Sequence, residues 1–148
     1  MTEFSATTPF RLVRRLAAVG QDTPSVYLLI CNAGEMDTVL ADMTAEVQAQ
    51  LGLNLRPFAA SELRPESLQA LAKHYPGDLV VITLDHWLPM LVSSFDRNIV
   101  LLTAGGTVVL LAVRDIAERM LRVAPNLRNR LTDVLVLIPD EVFGDSRA

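Results

Sequence analysis

Short apolar, β-branched runs recur along the chain at 26–31, 78–84, 107–113 and 133–138, and a weaker one lies at 53–59. The four strong runs do not alternate polar with apolar residues, so each is expected to be a strand buried on both faces. A parallel sheet covered by helices provides that environment. Helical periodicity fills the gaps. Met36, Val39, Leu40, Met43, Val47 and Leu51 fall at i, i+3, i+4, i+7, i+11 and i+15, and Gly52 supplies a C-terminal stop. Strands alternating with helices predict an α/β fold: a three-layer αβα sandwich with a mainly parallel, about five-stranded sheet and right-handed crossovers.

The other helices follow from the same patterning. Thr8-Pro9 offers a cap and a first-turn proline to an N-terminal helix over about 9–20. That helix is expected to bury Phe10, Val13 and Leu16 and to turn Arg11, Arg14 and Arg15 outward. A third helix is expected from near Pro65, carrying Leu68 and Leu71 and ending before Pro76-Gly77. The fourth begins around Leu88-Pro89 and places Leu88, Leu91, Val92, Phe95, Ile99 and Leu102 on one stripe. The fifth opens with Asp115 and Glu118 at capping-box spacing and stops before Pro125, and a short helical turn over 126–131 follows. Linkers, repeats and low-complexity segments are not seen, which predicts one domain over 1–148 with its core at about 24–140 and a flexible tail at about 143–148.

Composition bounds the partners. Hydrophobic residues make up 51% of the 148, charged residues 20%, and mean hydropathy is +0.33, richer in apolar groups than an average soluble domain. Some apolar surface is therefore expected to serve a protein partner or a homo-oligomer. Net charge is −4, Lys73 is the only lysine, and neither sign forms a long run, so nucleic acid and membrane surfaces are not expected as partners. Cys31 is alone, and no cysteine–histidine cluster has metal-ligand spacing; no metal and no cofactor are expected. The opening "MTEFSATTPFRLVRR" does not resemble a secretory signal. The longest apolar stretch, 99–113, is 15 residues interrupted by Gly105-Gly106, short of the roughly 20 that span a bilayer, so a cytoplasmic location is expected. Arginine-rich, lysine-poor usage with abundant Ala and Leu suggests a GC-rich bacterial genome.

In parallel sheets ligands gather beyond the carboxyl ends of the strands. The residues leaving those ends are Cys31, Asn32 and Gly34, then Ser61, Asp85 and His86, Arg114 and Asp115, and Asp140 and Glu141. Asn32, Gly34, Thr38, Asp85, His86 and Arg114 form the candidate ligand rim. Each has a plainer role beside the chemical one. Asp85 with His86 has the makings of an acid/base pair, but capping the helix that starts near Leu88 is the favoured role for Asp85. Cys31 at a helix entrance suits a nucleophile, yet a small buried residue closing a strand is favoured. Asp115 is expected to cap its helix; Arg114 suits a sensor-like arginine, but pairing with Asp85 or Asp140 across the sheet edge is favoured. Trp87 suits stacking on a base or plugging a partner's groove, although anchoring its loop to the core is the commoner role. Arg119, Arg122, Arg128 and Arg130 form the densest positive cluster, read as solvated or partner-facing surface.

Several of these segments resemble P-loop NTPases. "LVVITLD", ending at Asp85, is similar to the Walker B strand, whose acid holds Mg²⁺ through water. "TVVLLAVRD" sits where the sensor strand of the AAA and STAND branches would lie, and "TVVLLAVRDIAERMLRVAPNLRNRL" resembles NTPase-like domains of bacterial signalling and defence proteins. A working Walker A turn needs G-x-x-x-x-G-K-[ST], whose glycines let backbone amides wrap the phosphates while the lysine neutralises them. Here "CNAGEMDT" keeps Gly34 and Thr38 but has Asp37 where lysine would stand. "NAG" at 32–34 is shared with short-chain dehydrogenases, without their dinucleotide loop or Tyr-x-x-x-Lys pair. A phosphoreceiver would need an acidic pair after the first strand and a lysine after the last, where this chain has Asn32 and Asp140. The expectation is a non-catalytic, P-loop-like interaction or regulatory module in bacterial signalling or defence. The alternative is a divalent-metal-dependent or nucleotide-sensing enzyme in which Asp85, Asp115 or Asp140 holds the cation.

Overall fold

The computed structural model describes residues 4–19, 25–64, 68, 71, 78–102 and 106–140, with the backbone alone at 101 and 102. Six parallel strands form one sheet: β1 (Ser5–Thr7), β2 (Ser25–Cys31), β3 (Leu55–Ala59), β4 (Leu79–Leu84), β5 (Thr107–Val113) and β6 (Asp133–Leu137). Their spatial order is β1-β6-β2-β5-β4-β3. The helices are α1 (Pro9–Val19), α2 (Met36–Leu51), α3 (Pro89–Arg97), α4 (Ile99–Leu102), α5 (Arg114–Val123) and α6 (Pro125–Arg130).

The expected αβα sandwich is present, and the alternation along β2 shows why. All seven of its residues are buried. Tyr27, Leu29 and Cys31 face one side with Leu12, Val13 and Leu16 of α1 and Val39, Met43 and Val47 of α2. Val26, Leu28 and Ile30 face the other with Leu91, Val92 and Phe95 of α3, Ala117 and Met120 of α5 and Leu127 of α6. A strand sandwiched this way has no solvent face to carry polar residues. The hydroxyls that do enter the layer pair with each other, Ser25 Oγ and Thr107 Oγ1 standing 2.9 Å apart at the aligned starts of β2 and β5.

The connections that run through described helices share one hand. Movement from β1 to β2 and from β2 to β3 passes over the α1/α2 face, and movement back from β4 through β5 to β6 passes over the opposite face. The chain therefore reverses direction at the edge strand β3, and the helices after the neighbouring strands β2 and β5 depart to opposite sides. That is the crevice where open parallel sheets place ligands.

Five expectations are corrected, the last being the burial of Phe10. The sheet has a sixth strand, because Ser5–Thr7 pairs with Leu135–Leu137 at the edge, and Ile138 N–H donates to Thr7 O at 2.9 Å. The fourth helix is broken: Asn98 ends α3 with its own N–H and side-chain amide both on Ser94 O, at 2.9 and 3.1 Å, before α4 resumes. Asp85 does not cap α3, whose N-cap is Leu88 with no side-chain bond. Asp115 does not cap α5, since β5 runs straight into the helix at Arg114 and Asp115 falls inside the first turn, where its charge still favours the dipole. Along α1, Leu12 is buried and Phe10 only half-buried. Leu68 and Leu71 are buried, while most of the helix expected from near Pro65 lies outside the described residues. Helix α2 begins at Met36 and ends at Gly52, whose φ of 66° is the left-handed conformation glycine adopts without strain.

Candidate functional site

The rim is set by register. Cys31 of β2 is aligned with Val113 of β5, and Leu84 of β4 with Ala112, so three neighbouring strands end within a residue of one another. Asn32, Arg114 and Asp85 therefore leave the sheet side by side. All three are exposed, as are Gly34 and His86, while Thr38 is half-buried in the first turn of α2.

The turn after β2 decides what this rim can hold. Asn32 is extended at φ −74° and ψ 147°, Ala33–Glu35 form a single 3-10 turn, and α2 starts at once with Met36. Within it Glu35 N–H donates to Asn32 O at 2.9 Å, and Asn32 Nδ2 donates to Glu35 Oε1 at 2.6 Å. Among the described glycines only Gly52 and Gly106 have positive φ. Gly34 thus sits in ordinary helical backbone, and a Cβ built on it would meet nothing within 4 Å. Anion-binding nests of backbone amides are commonly built by alternating right- and left-handed residues, and this turn has no left-handed residue. Its helix N-terminus already carries Glu35 and Asp37, two carboxylates in the place where phosphate charge would sit.

The other candidates are dispersed. Asp85 Oδ1 and His86 Nδ1 are 2.9 Å apart on an exposed corner, with side chains 62% and 75% accessible. Their hydrogen bond holds the Asp85 carboxyl below its ordinary range. The expected pairing of Arg114 with Asp85 or Asp140 is not observed: no ion pair between described residues involves Arg114, because Asp85 is turned to His86 and Asp140 is buried with Oδ1 accepting Phe10 N–H at 3.0 Å. Asp140 closes the sandwich by tying the end of β6 to α1. Cys31 is buried, and burial, followed by the charge of Glu35, raises its thiol to about 11, the reverse of what a nucleophile requires. Among the described residues no three His, Cys, Asp or Glu side chains converge on a cation position. Asp85, Asp115 and Asp140 therefore do not form a shared carboxylate site.

Two features escaped the one-dimensional reading. The guanidinium of Arg119 lies 4.2 Å from the centre of the Trp87 ring, a cation–π contact between a loop and α5. These two residues line a groove of about 320 Å³ between α3 and α5, while Ala60, Leu63 and Met90 help line a separate apolar groove of about 180 Å³. Trp87 and Arg119 had each been conspicuous, but their 32-residue separation carries no periodic signal.

No protein-family model matches the sequence, and no curated protein does. Solved structures do share the fold. The Thermotoga maritima RuvB Holliday junction branch migration motor superposes with a TM-score of 0.55 at 18% identity, over 86% of this chain and 42% of that one. A DNA polymerase III gamma subunit-related protein of the same organism gives 0.57 at 10% identity, over 90% and 48%. The Aeropyrum pernix ORC1 protein in complex with DNA gives 0.55 at 15%, over 88% and 44%.

The fold is P-loop NTPase-like. This chain spans less than half the length of each of these three. One expectation falls with that finding. Nucleic acid was set aside on a net charge of −4 and the lack of a basic run, yet the ORC1 protein of this fold is bound to DNA. Net charge averages over a surface, whereas phosphate contacts need only a local positive face. Of membranes, the described residues contain no helix long and apolar enough to cross one.

Proposed function

We propose that this chain is a non-catalytic recognition module built on a P-loop-like sandwich whose triphosphate grip has been lost. It works in bacterial signalling or defence, binds a macromolecular partner, and self-associates. The observation that carries this reading is the turn after β2. A triphosphate needs a cradle of amides and a cation, and the chain has a closed 3-10 turn with Glu35 and Asp37 there. The exposed apolar side chains Met90 and Val100, on α3 and α4, fit a module whose surface meets a partner.

Calorimetry with Mg-ATP, together with a phosphate-release assay, tests the proposal. No binding heat and no released phosphate are expected; micromolar affinity with turnover overturns it. Light scattering across a concentration series tests self-association, for which a rise in mass is expected and a constant monomer mass contradicts.

A further inference from the structure

The segment that supplies α3 to α6, packed opposite α1 and α2, is more basic than the chain as a whole. From Trp87 to Leu131 there are six arginines (97, 114, 119, 122, 128, 130) against three carboxylates (Asp96, Asp115, Glu118), a local +3 in a chain of net −4. The groove beside Trp87 continues at Asp96 into a second of about 240 Å³ lined by Arg97, Asn126, Asn129 and Arg130. Asp96, the acid shared by both, is engaged at the start of α6: Oδ1 accepts Leu127 N–H at 2.9 Å and Oδ2 accepts Asn126 Nδ2 at 3.4 Å. Arg97, Arg119 and Arg130 are exposed and make no ion pair with a described residue.

We infer that this groove is a binding surface for single-stranded nucleic acid, with a base stacked on the Trp87–Arg119 pair and phosphates met by Arg97 and Arg130. The chemistry is specific to that ligand class. Single-strand surfaces combine a positive groove with an aromatic platform, and guanidinium planes stack on bases as rings do. Trp87 holds Arg119 in place without neutralising it, so the guanidinium keeps its charge for a phosphate. The amides of Asn126 and Asn129 add donors and acceptors of the kind that pair with base edges. A half-buried ring in a cleft reaches an unpaired base and not one stacked inside a duplex. The inference does not depend on the turn after β2 and goes beyond the loss of nucleotide binding.

Trp87 is the only tryptophan, so its emission reports stacking directly. The full chain is titrated with labelled oligothymidine, following emission and anisotropy at several salt concentrations, with polyglutamate as the competing polyanion. Saturable quenching is expected, with a logarithmic salt slope of about −2 from three phosphate contacts. Arg97→Glu with Arg130→Glu should lower affinity and flatten the slope by about 1.4, while Arg14→Glu on α1 leaves both unchanged. All three side chains are exposed, and thermal melts of each variant verify folding. Absence of quenching at low salt overturns the inference, as does unaltered binding by the double variant. Polyglutamate competing as well as oligothymidine also overturns it and assigns the groove to an acidic peptide.

Discussion

Replacing Gly34 with alanine separates the two readings of the turn after β2, because they predict opposite signs. In the structure Gly34 has no positive φ, is exposed, and leaves an added Cβ with no neighbour within 4 Å. Alanine therefore introduces no strain and only narrows the unfolded ensemble, which stabilises by about 0.4–1 kcal/mol. For a chain of 148 residues that corresponds to a rise of about 1–4 °C in Tm. Had Gly34 been kept for a phosphate cradle, its backbone would be left-handed and alanine would cost about 1–2 kcal/mol. Reversible thermal unfolding followed by circular dichroism, with a denaturant titration for ΔG, distinguishes the two. A fall in stability would refute the reasoning, since it would mean that the native turn needs a conformation only glycine allows.

Asp37→Lys restores the missing cation without restoring the cradle; it should bind no Mg-ATP by calorimetry. It should also lose about 1 kcal/mol, as a favourable charge at the N-terminus of α2 becomes an unfavourable one. Asp96→Ala removes the acceptor of Leu127 N–H and should cost about 0.5–2 kcal/mol in urea unfolding, whereas Asp96→Asn should retain most of the stability. The Cys31 thiol should resist aromatic disulfide reagents at pH 8 until the protein unfolds. Its pKa is raised in the fold from 9.0 to about 11, so the folded state is favoured fully below pH 9 and loses up to about 3 kcal/mol as pH rises through 11. Cys31→Ala should abolish that alkaline slope, and a slope that persists unchanged would assign it to another group.

How much could be read in advance followed how local the determinant was. Four of the strands and helix α2 were legible because their signals lie within one segment: unbroken β-branched runs, and a stripe from Met36 to a glycine stop at Gly52; β6 departs from the expected burial, being half-buried at Asp133, Val134 and Val136. β1 was missed because Ser5–Thr7 is short and polar, and its strand state comes from pairing with β6 more than a hundred residues away. The caps failed for a related reason. Asp115 has the right spacing, but the cap belongs to whichever residue is last to be extended, and the register of β5 assigns that place to Val113. The rim was legible as a set of strand ends, three of which, at Asn32, Asp85 and Arg114, leave the sheet side by side. What the sequence did not contain was their mutual orientation: Asp85 turned to His86, Asp140 buried under α1, Arg114 left alone among the described residues. The Trp87–Arg119 contact depends on how α5 lies against the loop before α3, which is tertiary information.

The proposed function rests on closure of the turn joining β2 to α2 against phosphate. Its most direct test is the ¹⁵N-amide spectrum of residues 32–38 during titration with Mg-ATP. No saturable change at these amides is predicted, whereas saturable downfield shifts at Gly34, Glu35 and Met36 would show backbone donors turned onto a phosphate and contradict it.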